Sequence, residues 1–394
     1  MYAFRKPFSV ATYENLSFAY VDYKIWLIVA QVIGYTFSKF TGIKVISELG
    51  RNGRAKLLLL LIGIAELALL LFAVVPVPYN IICLFLNGIP LGMIWGIVFS
   101  YLEGRRFSEI LGAGLSASFI VASGAVKTVG KMVMTYWGVS EFMMPFVTGL
   151  IFLIPMVVFT FLLNELPPPT QQDEELRTKR LPMDATERKR FFKNFAFGFI
   201  ILTLFYVLLT AFRDFRDNFA AELWGALGFG NMPFIFTASE TPIAIFVLII
   251  LGATMYIKSN IKALMVYHWL ILGGAIMIGI STWLYQAGIV HPALWMILTG
   301  LGLYVGYVPF GCVFFDRLIA AFKFSGTSGF MIYVADAFGY LGSVGVVLYK
   351  NFGQADLSWL SFFISSAYVI SLTGIVAILT SMQFFYKKHR QEFG

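Results

Sequence analysis

Apolar runs of about twenty residues or more recur along the whole chain, and this pattern limits the fold more than any other feature. At a rise of about 1.5 Å per residue, each run can cross the ~30 Å hydrocarbon layer of a bilayer as a helix. Only 13% of the 394 residues are charged, against about 25% in soluble domains. Because the bilayer core offers no partner to a loose backbone group, the runs must be helical. The sequence therefore predicts an all-α integral membrane protein and excludes a water-soluble fold.

Eleven such spans can be placed along the chain. They lie at about 22–46, 56–75, 81–101, 110–133, 144–163, 195–212, 234–257, 263–285, 292–315, 329–349 and 357–385. Between the fifth and sixth spans, residues 164–193 contain three consecutive prolines from Pro167 and a cluster of six basic residues at 177–190. The sequence thus predicts an N-terminal membrane half (1–163), a basic linker (164–193), a C-terminal membrane half (194–385) and a tail (386–394).

Basic residues are confined to alternate loops. They occur at 51–56, 105–106, 177–190, 258–262, 317–323 and 387–390, whereas the loops at 75–80, 137–142 and 286–291 carry almost none. By the positive-inside rule, the basic loops face the cytoplasm. We therefore expect a multi-pass protein of the inner cell membrane, with its linker and C-terminus in the cytoplasm. The net charge of +8 is interpreted as a topology signal, and no nucleic-acid partner is expected.

The sequence contains no residue set typical of catalysis or of a bound cofactor. The two cysteines, Cys83 and Cys312, lie in different apolar runs, and the three histidines are scattered. This spacing offers neither a disulfide framework nor a zinc site. We therefore expect a monomeric, non-enzymatic protein whose partners are a small solute and the lipid bilayer, without a metal or a cofactor.

The first membrane half has five spans against six in the second. The alternation of basic loops also places residues 1–21 outside, although nothing upstream would carry Arg5 and Lys6 across the membrane. Residues 2–5 (Tyr-Ala-Phe-Arg) resemble residues 210–213 (Thr-Ala-Phe-Arg), which follow the first span of the second half. We therefore expect that the first helix of a twelve-helix parent precedes Met1. The alternative is an eleven-span protein whose short N-terminal tail translocates by itself.

Three lysines, Lys39, Lys127 and Lys131, lie well inside predicted spans, where a charge costs about 2.5 to 3.5 kcal/mol on insertion scales. Lys127 and Lys131 are one helical turn apart on one face. Lys127 is the deeper of the two and is expected to face a cavity, whereas snorkelling to the outer interface explains Lys131 equally well. We also expect Lys39 to face the central cavity.

Three acidic residues share this setting. Glu240, beside Pro242, and Asp336, in a glycine-rich span, are candidates for accepting a proton or for compensating a neighbouring cation. Glu66 is expected to make a packing contact or to pair with a tilted helix. At the end of the sixth span, Arg213 and Asp217 stand four residues apart, which is also consistent with a structural salt bridge at the outer rim.

Two six-helix halves joined by a basic linker resemble the major facilitator superfamily. Residues 49–56 (Leu-Gly-Arg-Asn-Gly-Arg-Ala-Lys) are similar to that superfamily's loop after the second helix, with Gly50 in place of the usual aspartate. Residues 103–106 (Glu-Gly-Arg-Arg) similarly fit the loop after the fourth helix. The resemblance implies two pseudo-symmetric halves of six helices each.

A second resemblance is carried by residues 2–9 (Tyr-Ala-Phe-Arg-Lys-Pro-Phe-Ser) and 34–40 (Gly-Tyr-Thr-Phe-Ser-Lys-Phe). They resemble the first two helices of the organophosphate:phosphate antiporters, which read Tyr-x-x-Arg-Lys-Asn-Phe and Gly-Phe-Ser-Lys-Phe. In that family, arginines on the first and seventh helices bind phosphate. The resemblance implies that Arg5 and Arg213 clamp the substrate and that Lys39 supports them. Lys127 occupies the region of a histidine in the antiporters, which leaves another anion open.

These observations favour a secondary active transporter that moves a small phosphate- or carboxylate-bearing anion by alternating access. Its substrate-binding residues would be Arg5, Lys39, Lys127 and Arg213, because cationic side chains at the midplane suit an anion. Exchange against phosphate and coupling to protons through Glu240 or Asp336 both remain open. The alternative is a transporter-like membrane sensor or assembly protein that binds a ligand without turnover.

Overall fold

The computed structural model describes residues 1–48, 51–102, 108–167, 185–324, 328–354 and 356–393. Three sequence features lie outside the described residues. They are the loop residues at 49–50 and 103–107 that carry the superfamily motifs, and the stretch 168–184 that holds most of the predicted linker.

Thirteen α-helices occupy the described chain. They are α1 (Tyr23–Glu48), α2 (Arg51–Val74), α3 (Ile81–Leu102), α4 (Ser108–Trp137), α5 (Met144–Asn164), α6 (Ala185–Asn218), α7 (Ala220–Ala226), α8 (Ile235–Thr254), α9 (Asn260–Gln286), α10 (Pro292–Cys312), α11 (Phe314–Ala321), α12 (Ser328–Gly353) and α13 (Trp359–Phe393). Apart from the short α7 and α11, they correspond to the eleven predicted spans, and the all-α membrane fold is confirmed.

Nine helices in the described part of the chain are long and apolar enough to cross a membrane. The other two long helices, α1 and α12, carry Lys39 and Asp336, whose side chains meet in the interior. The longest helices extend beyond the predicted spans by several residues, α6 at both ends and α13 at its C-terminal end. These extensions carry polar and basic side chains, which apolar runs alone cannot predict.

Glycines allow α1 and α3 to approach at backbone distance. A Cβ atom at Gly88 of α3 would overlap the backbone carbonyl of Gln31 on α1, and one at Gly92 would overlap that of Tyr35. From the other side, a Cβ at Gly34 of α1 would meet the carbonyl of Phe85. Van der Waals contact of this kind is the main attraction between helices in lipid, since the hydrophobic effect does not act between them there. We refer to these three glycines as the α1–α3 seam.

A comparable close approach occurs in the second half. Gly274 of α9 and Gly302 of α10 each lie against the other's backbone carbonyl. Gly300 of α10 lies against the side chains of Ile243 and Arg216. Residues 300–302 are therefore a site where small residues allow close helix contact.

The first 22 residues form a compact segment ahead of α1. Two 3₁₀ turns, Tyr2–Phe4 and Pro7–Val10, pack against α4 and α5 with most of their side chains buried. A short antiparallel hairpin follows, in which β1 (Ser17–Phe18) pairs with β2 (Val21–Asp22). The turns place Arg5 and Lys6 inside the protein. The expectation that a helix precedes Met1 stays a prediction.

The two halves meet along three helix pairs. In the described structure, α1 packs against α12, and α4 packs against both α8 and α10. The first-half members of these pairs carry Lys39, Ser123 and Lys127, so the polar residues of the spans face the other half. The interface between the halves is therefore the candidate position of a binding site.

Replacing Gly88 with alanine should destabilise the protein, because the added methyl group has no room against the α1 backbone. Overpacking of this kind costs about 1–3 kcal/mol. Gly63→Ala in α2 is the matched control, since a Cβ there meets nothing within 4 Å and alanine is favoured over glycine in a helix by about 0.5–1 kcal/mol. Thermal melts of the purified variants in one detergent compare the two. Equal melting temperatures would contradict the packing of the seam.

Candidate functional site

A cavity of about 290 Å³ lies between the two halves. The described residues give its wall four cations and three carboxylates: Arg5, Lys6, Lys39, Arg213, Asp214, Asp217 and Asp336. Because a charge inside a membrane protein is costly unless it is compensated, the partner of each group indicates its role. The structure thus brings together three of the four predicted binding residues, Arg5, Lys39 and Arg213, with Asp336.

Arg5 enters the cavity from the N-terminal segment. Its side chain is 5% exposed, and its guanidinium carbon lies 4.0 Å from the centroid of the Tyr35 ring on α1. Its Nε has no hydrogen-bond partner, and the described residues provide no ion pair for it. A cation over an aromatic face gains about 0.5–2 kcal/mol, which is less than a counter-charge would contribute. Arg5 is therefore a buried cation without an ion pair among the described residues.

Amide side chains fix the backbone around Arg5. Gln31 of α1 donates to the Arg5 carbonyl oxygen at 3.1 Å and to Asn87 Oδ1 at 2.8 Å. Asn87 of α3 in turn donates to the Phe4 carbonyl oxygen at 3.0 Å. These bonds attach the segment to the two helices of the seam, so the position of the guanidinium is set by the most closely packed part of the first half.

Arg213 enters the same cavity from α6 of the other half. Its guanidinium carbon lies 4.3 Å from the centroid of the Tyr307 ring on α10. Unlike Arg5, it has a carboxylate partner, because its Nη2 donates to Asp214 Oδ1 at 2.8 Å. The second oxygen of Asp214 accepts from Ser343 of α12 at 2.8 Å. The two arginines of the internal repeat thus each lie over a tyrosine, but of the two only Arg213 has an ion pair among the described residues.

Lys39 and Asp336 form an ion pair between the halves. Lys39 Nζ on α1 lies 3.1 Å from Asp336 Oδ2 on α12. The Tyr206 hydroxyl donates to Asp336 Oδ1 at 2.5 Å and lies 3.1 Å from the Tyr307 hydroxyl. Asp336 therefore contacts a lysine of the first half. Through Tyr206 it is also connected to Tyr307, the ring over which Arg213 lies.

Lys127 does not line this cavity among the described wall residues; it lies beside it, against Asp217. The Asp217 carboxylate accepts from Lys6 and Lys127 and, at 2.5 Å, from Ser123. Its backbone carbonyl accepts from Lys127 at 2.6 Å. Lys6 also donates to Asn218 Oδ1 at 2.9 Å. We call Asp217 with Lys6, Lys127 and Ser123 the Asp217 cluster. It joins the first half to the end of α6.

The predicted pair of Arg213 with Asp217 is therefore wrong. Arg213 pairs with its neighbour Asp214, while Asp217 pairs with the lysines of the other half. Helical spacing allows both arrangements, and the lysines decide between them. Two ammonium groups that approach Asp217 from α4 and from the N-terminal segment attract it more strongly than one arginine that already has a partner.

The other charged candidates pair within one half or lie apart. Glu240 of α8 accepts from Arg216 Nη1 at 2.6 Å, and Arg216 also donates to the Met296 carbonyl oxygen at 3.2 Å. Glu240 thus compensates a cation. Glu66 is 6% exposed, lies against Gly149 of α5, and has no hydrogen-bond partner for its carboxylate oxygens. Lys131 is not among the described wall residues.

Sequence reasoning missed most of the aromatic wall. Eight of the described wall residues are aromatic, among them Tyr304 and Tyr307 of α10 and Phe119 of α4. Nothing in a sequence of 41 Phe, 19 Tyr and 8 Trp separates these from rings that face lipid. Lys6 was signalled by the Arg-Lys pair of the N-terminal motif. In the described part of the chain, no three acidic, histidine or cysteine side chains converge as metal ligands do.

Comparison with known proteins gives a family and a fold. Residues 7–388 match a family described as a family of unknown function, DUF5690, and no curated protein matches the sequence. Similar solved structures include a D-xylose-proton symporter with a TM-score of 0.65 and 15% sequence identity, covering 97% of this chain and 95% of that chain. The proton:xylose symporter XylE bound to 6-bromo-6-deoxy-D-glucose has a TM-score of 0.61 and 16% identity, covering 98% and 93%.

A third similar structure is the human organic anion transporter MFSD10 (TETRAN). It has a TM-score of 0.53 and 14% identity, with coverage of 91% of this chain and 83% of that chain. At such identities, these structures show the fold alone. The fold is that of the major facilitator superfamily, as the sequence predicted, with its two pseudo-symmetric halves.

Asp217→Asn should strongly destabilise the protein, because it leaves Lys6 and Lys127 buried without a carboxylate. Breaking a buried ion pair costs about 3–5 kcal/mol. The matched control is Glu392→Gln, which breaks the solvent-accessible pair of Lys388 and Glu392 at 3.5 Å and should cost at most ~1 kcal/mol. The measurement is the melting temperature of each purified variant. If both variants melt at the wild-type temperature, the Asp217 cluster does not stabilise the contact between the halves.

Proposed function

We propose that this chain, which belongs to the DUF5690 family of unknown function, is a secondary active transporter of a small phosphate- or carboxylate-bearing anion. The observation that carries the proposal is Arg5, a buried guanidinium in the central cavity without an ion pair among the described residues. Retaining a charge at such a place costs several kcal/mol unless an anion compensates it. A solute with an oxyanion group would supply that compensation whenever it is bound.

The position of the cavity suits alternating access. Arg5 belongs to the first half and Arg213 to the second, and both line one cavity at the interface. An anion held there would contact both halves at once, so its binding would change how they rock about the site. The forked guanidinium donors suit phosphate and carboxylate, because each can bind two oxygens.

Two likenesses support the same proposal. The motifs at residues 2–9 and 34–40 resemble those of the organophosphate:phosphate antiporters, and they supply Arg5, Tyr35 and Lys39 to the cavity. The human protein MFSD10, which has a similar fold, is described as an organic anion transporter. We further propose that the protein resides in the inner membrane, with the linker and C-terminus in the cytoplasm, as the basic loops predict.

Asp336 is the stronger of the two candidates for proton coupling. It lines the cavity and pairs across the halves with Lys39, so that a change in its protonation would loosen a contact between the moving parts. Glu240 is paired with Arg216 inside the second half. In this proposal Lys127 acts indirectly, by holding Asp217 and thereby Lys6 at the cavity wall.

Replacing Arg5 should abolish transport of the anion. Arg5→Gln removes the charge and should reduce uptake more than a hundredfold, whereas Arg5→Lys keeps the charge but loses the fork. We expect Arg5→Lys to cost roughly tenfold to a hundredfold, since a hydrogen bond to a charged group contributes about 1.5–3 kcal/mol. The control is Arg390→Gln at an exposed position near the C-terminus, which should transport like the wild type.

The measurement is counterflow of labelled phosphate, glycerol phosphate, succinate or benzoate in proteoliposomes. Wild-type flux of at least one of these anions, lost in Arg5→Gln, is the expected result. Flux of the same anion by Arg5→Gln at the wild-type rate would overturn the proposed site. Saturable binding of an anion without any flux in the wild type would favour the alternative of a membrane sensor.

Asp336→Asn should uncouple transport from a pH gradient. Without a group that gains and loses a proton, uphill uptake driven by inward acid should vanish, while exchange of internal for external solute continues. Asp356→Asn, at an exposed position just before α13, is the control and should keep both activities. The comparison uses the same liposomes with and without an imposed gradient. Gradient-driven uptake by Asp336→Asn at the wild-type level would rule out this residue as the coupling group.

A further inference from the structure

An aromatic surface without ionic partners lies on one side of the cavity. Tyr2 of the N-terminal segment and Phe119 of α4 stack with centroids 6.2 Å apart and ring planes 9° from parallel. Phe119 is also 6.4 Å from Tyr304 of α10, at an angle of 56°. Since Tyr304 belongs to the second half, this cluster spans the interface as the arginines do. We refer to Tyr2, Phe119 and Tyr304 as the aromatic cluster.

The other rings of the wall are already engaged. Arg5 covers Tyr35 and Arg213 covers Tyr307, while Tyr206 stacks on Tyr307 with centroids 5.1 Å apart. The aromatic cluster carries no such cation. Tyr304 is 4% exposed, and its hydroxyl makes no hydrogen bond to the described residues. The three rings therefore line the cavity without a cation over them, and the hydroxyls of Tyr2 and Tyr304 make no hydrogen bond to the described residues.

The serines among the described wall residues are also engaged. Ser123 donates to Asp217 at 2.5 Å, Ser118 donates to the Leu115 carbonyl oxygen at 2.7 Å, and the Ser116 hydroxyl lies 3.0 Å from Cys312 Sγ. What stays available to a solute is mainly aromatic rings, the phenol hydroxyls of Tyr2 and Tyr304, and the Arg5 guanidinium. Ring faces suit a flat aromatic body better than a body covered with hydroxyl groups, which would need many hydrogen-bond partners.

Arg5 is the wall cation that can accept a negatively charged group of the solute. Of the four cationic side chains among the described wall residues, Lys39 and Arg213 each have a carboxylate partner and Lys6 shares Asp217 with Lys127, whereas Arg5 has none. A single guanidinium matches a single carboxylate as a bidentate pair. The cavity volume of about 290 Å³ is several times the volume of about 30 Å³ that one water molecule occupies in the liquid. The cavity therefore has room for a solute larger than acetate.

We infer that the transported solute is an aromatic monocarboxylate, with its carboxylate on Arg5 and its ring against the aromatic cluster. This inference rests on the proposed function and narrows it to one chemical class. In this arrangement Arg5 recognises the negative charge of the solute, and the cluster of Tyr2, Phe119 and Tyr304 recognises its aromatic ring.

The test compares three carboxylates of equal charge on the purified full chain by calorimetric titration. Benzoate and cyclohexanecarboxylate are close in size, but only benzoate has π faces, while acetate lacks a ring altogether. An aromatic contact contributes enough for about threefold to tenfold tighter binding. We therefore expect benzoate to bind about threefold to tenfold more tightly than cyclohexanecarboxylate, and acetate to bind more weakly than either ring compound.

A variant assigns the preference to the cluster. Phe119→Leu keeps an apolar side chain but removes the central ring, so the ratio of the benzoate and cyclohexanecarboxylate affinities should fall to about one. Phe246→Leu is the matched control at a position of α8 that is 53% exposed, and it should keep the wild-type ratio. If Phe119→Leu does not fold, Tyr304→Leu provides the same comparison from the other half.

The outcomes separate this inference from the proposed function. If all three carboxylates bind equally to the wild type, or if cyclohexanecarboxylate binds more tightly than benzoate, the inference is overturned while anion transport stands. A ratio unchanged in Phe119→Leu and in Tyr304→Leu would also overturn it. If none of the carboxylates, inorganic phosphate or glycerol phosphate binds or is transported, the proposed function fails as well.

Discussion

A carboxylate at the end of α6 holds two lysines from the opposite half of the molecule, and the arrangement of the site depends on it. In the low dielectric of a membrane protein, Lys6 and Lys127 could not stay charged side by side without Asp217. The same contacts keep the N-terminal segment against the second half. Arg5 precedes Lys6 in that segment, so the anchoring of one residue fixes the cation of its neighbour inside the cavity.

The two ties between the halves differ in a way that suits a moving transporter. Asp217 is surrounded by three partners from the first half, whereas Asp336 has one lysine from across the interface and one tyrosine from its own half. The Lys39–Asp336 pair is therefore the easier of the two to exchange for another charge. A proton on Asp336 or an anion beside Lys39 would each compete for it, which links the solute to the contact between the halves.

Much of the fold follows from the sequence, because twenty-residue apolar runs allow one structure in a bilayer. The resemblance to the organophosphate:phosphate antiporters also led to Arg5 and Arg213, which occupy equivalent positions of the internal repeat. Pairing was harder to predict, because the sequence spacing allows Arg213 to pair with either Asp214 or Asp217. The approach of Lys6 and Lys127 to Asp217 leaves Asp214 as the partner of Arg213. The aromatic cluster could not be predicted, because the sequence does not distinguish an aromatic residue that faces a cavity from one that faces lipid.

The α1–α3 seam bears on how such a molecule could move. Where two helices touch backbone to backbone at Gly34, Gly88 and Gly92, no flexible side chains lie between them to absorb sliding. The two helices behave as one lever, and Gln31 and Asn87 attach the Arg5 backbone to it. A tilt of α1 and α3 would move the Arg5 guanidinium, Tyr35 and Lys39 together. The arrangement of these binding residues would therefore be preserved during the conformational change that opens the cavity to the other side of the membrane.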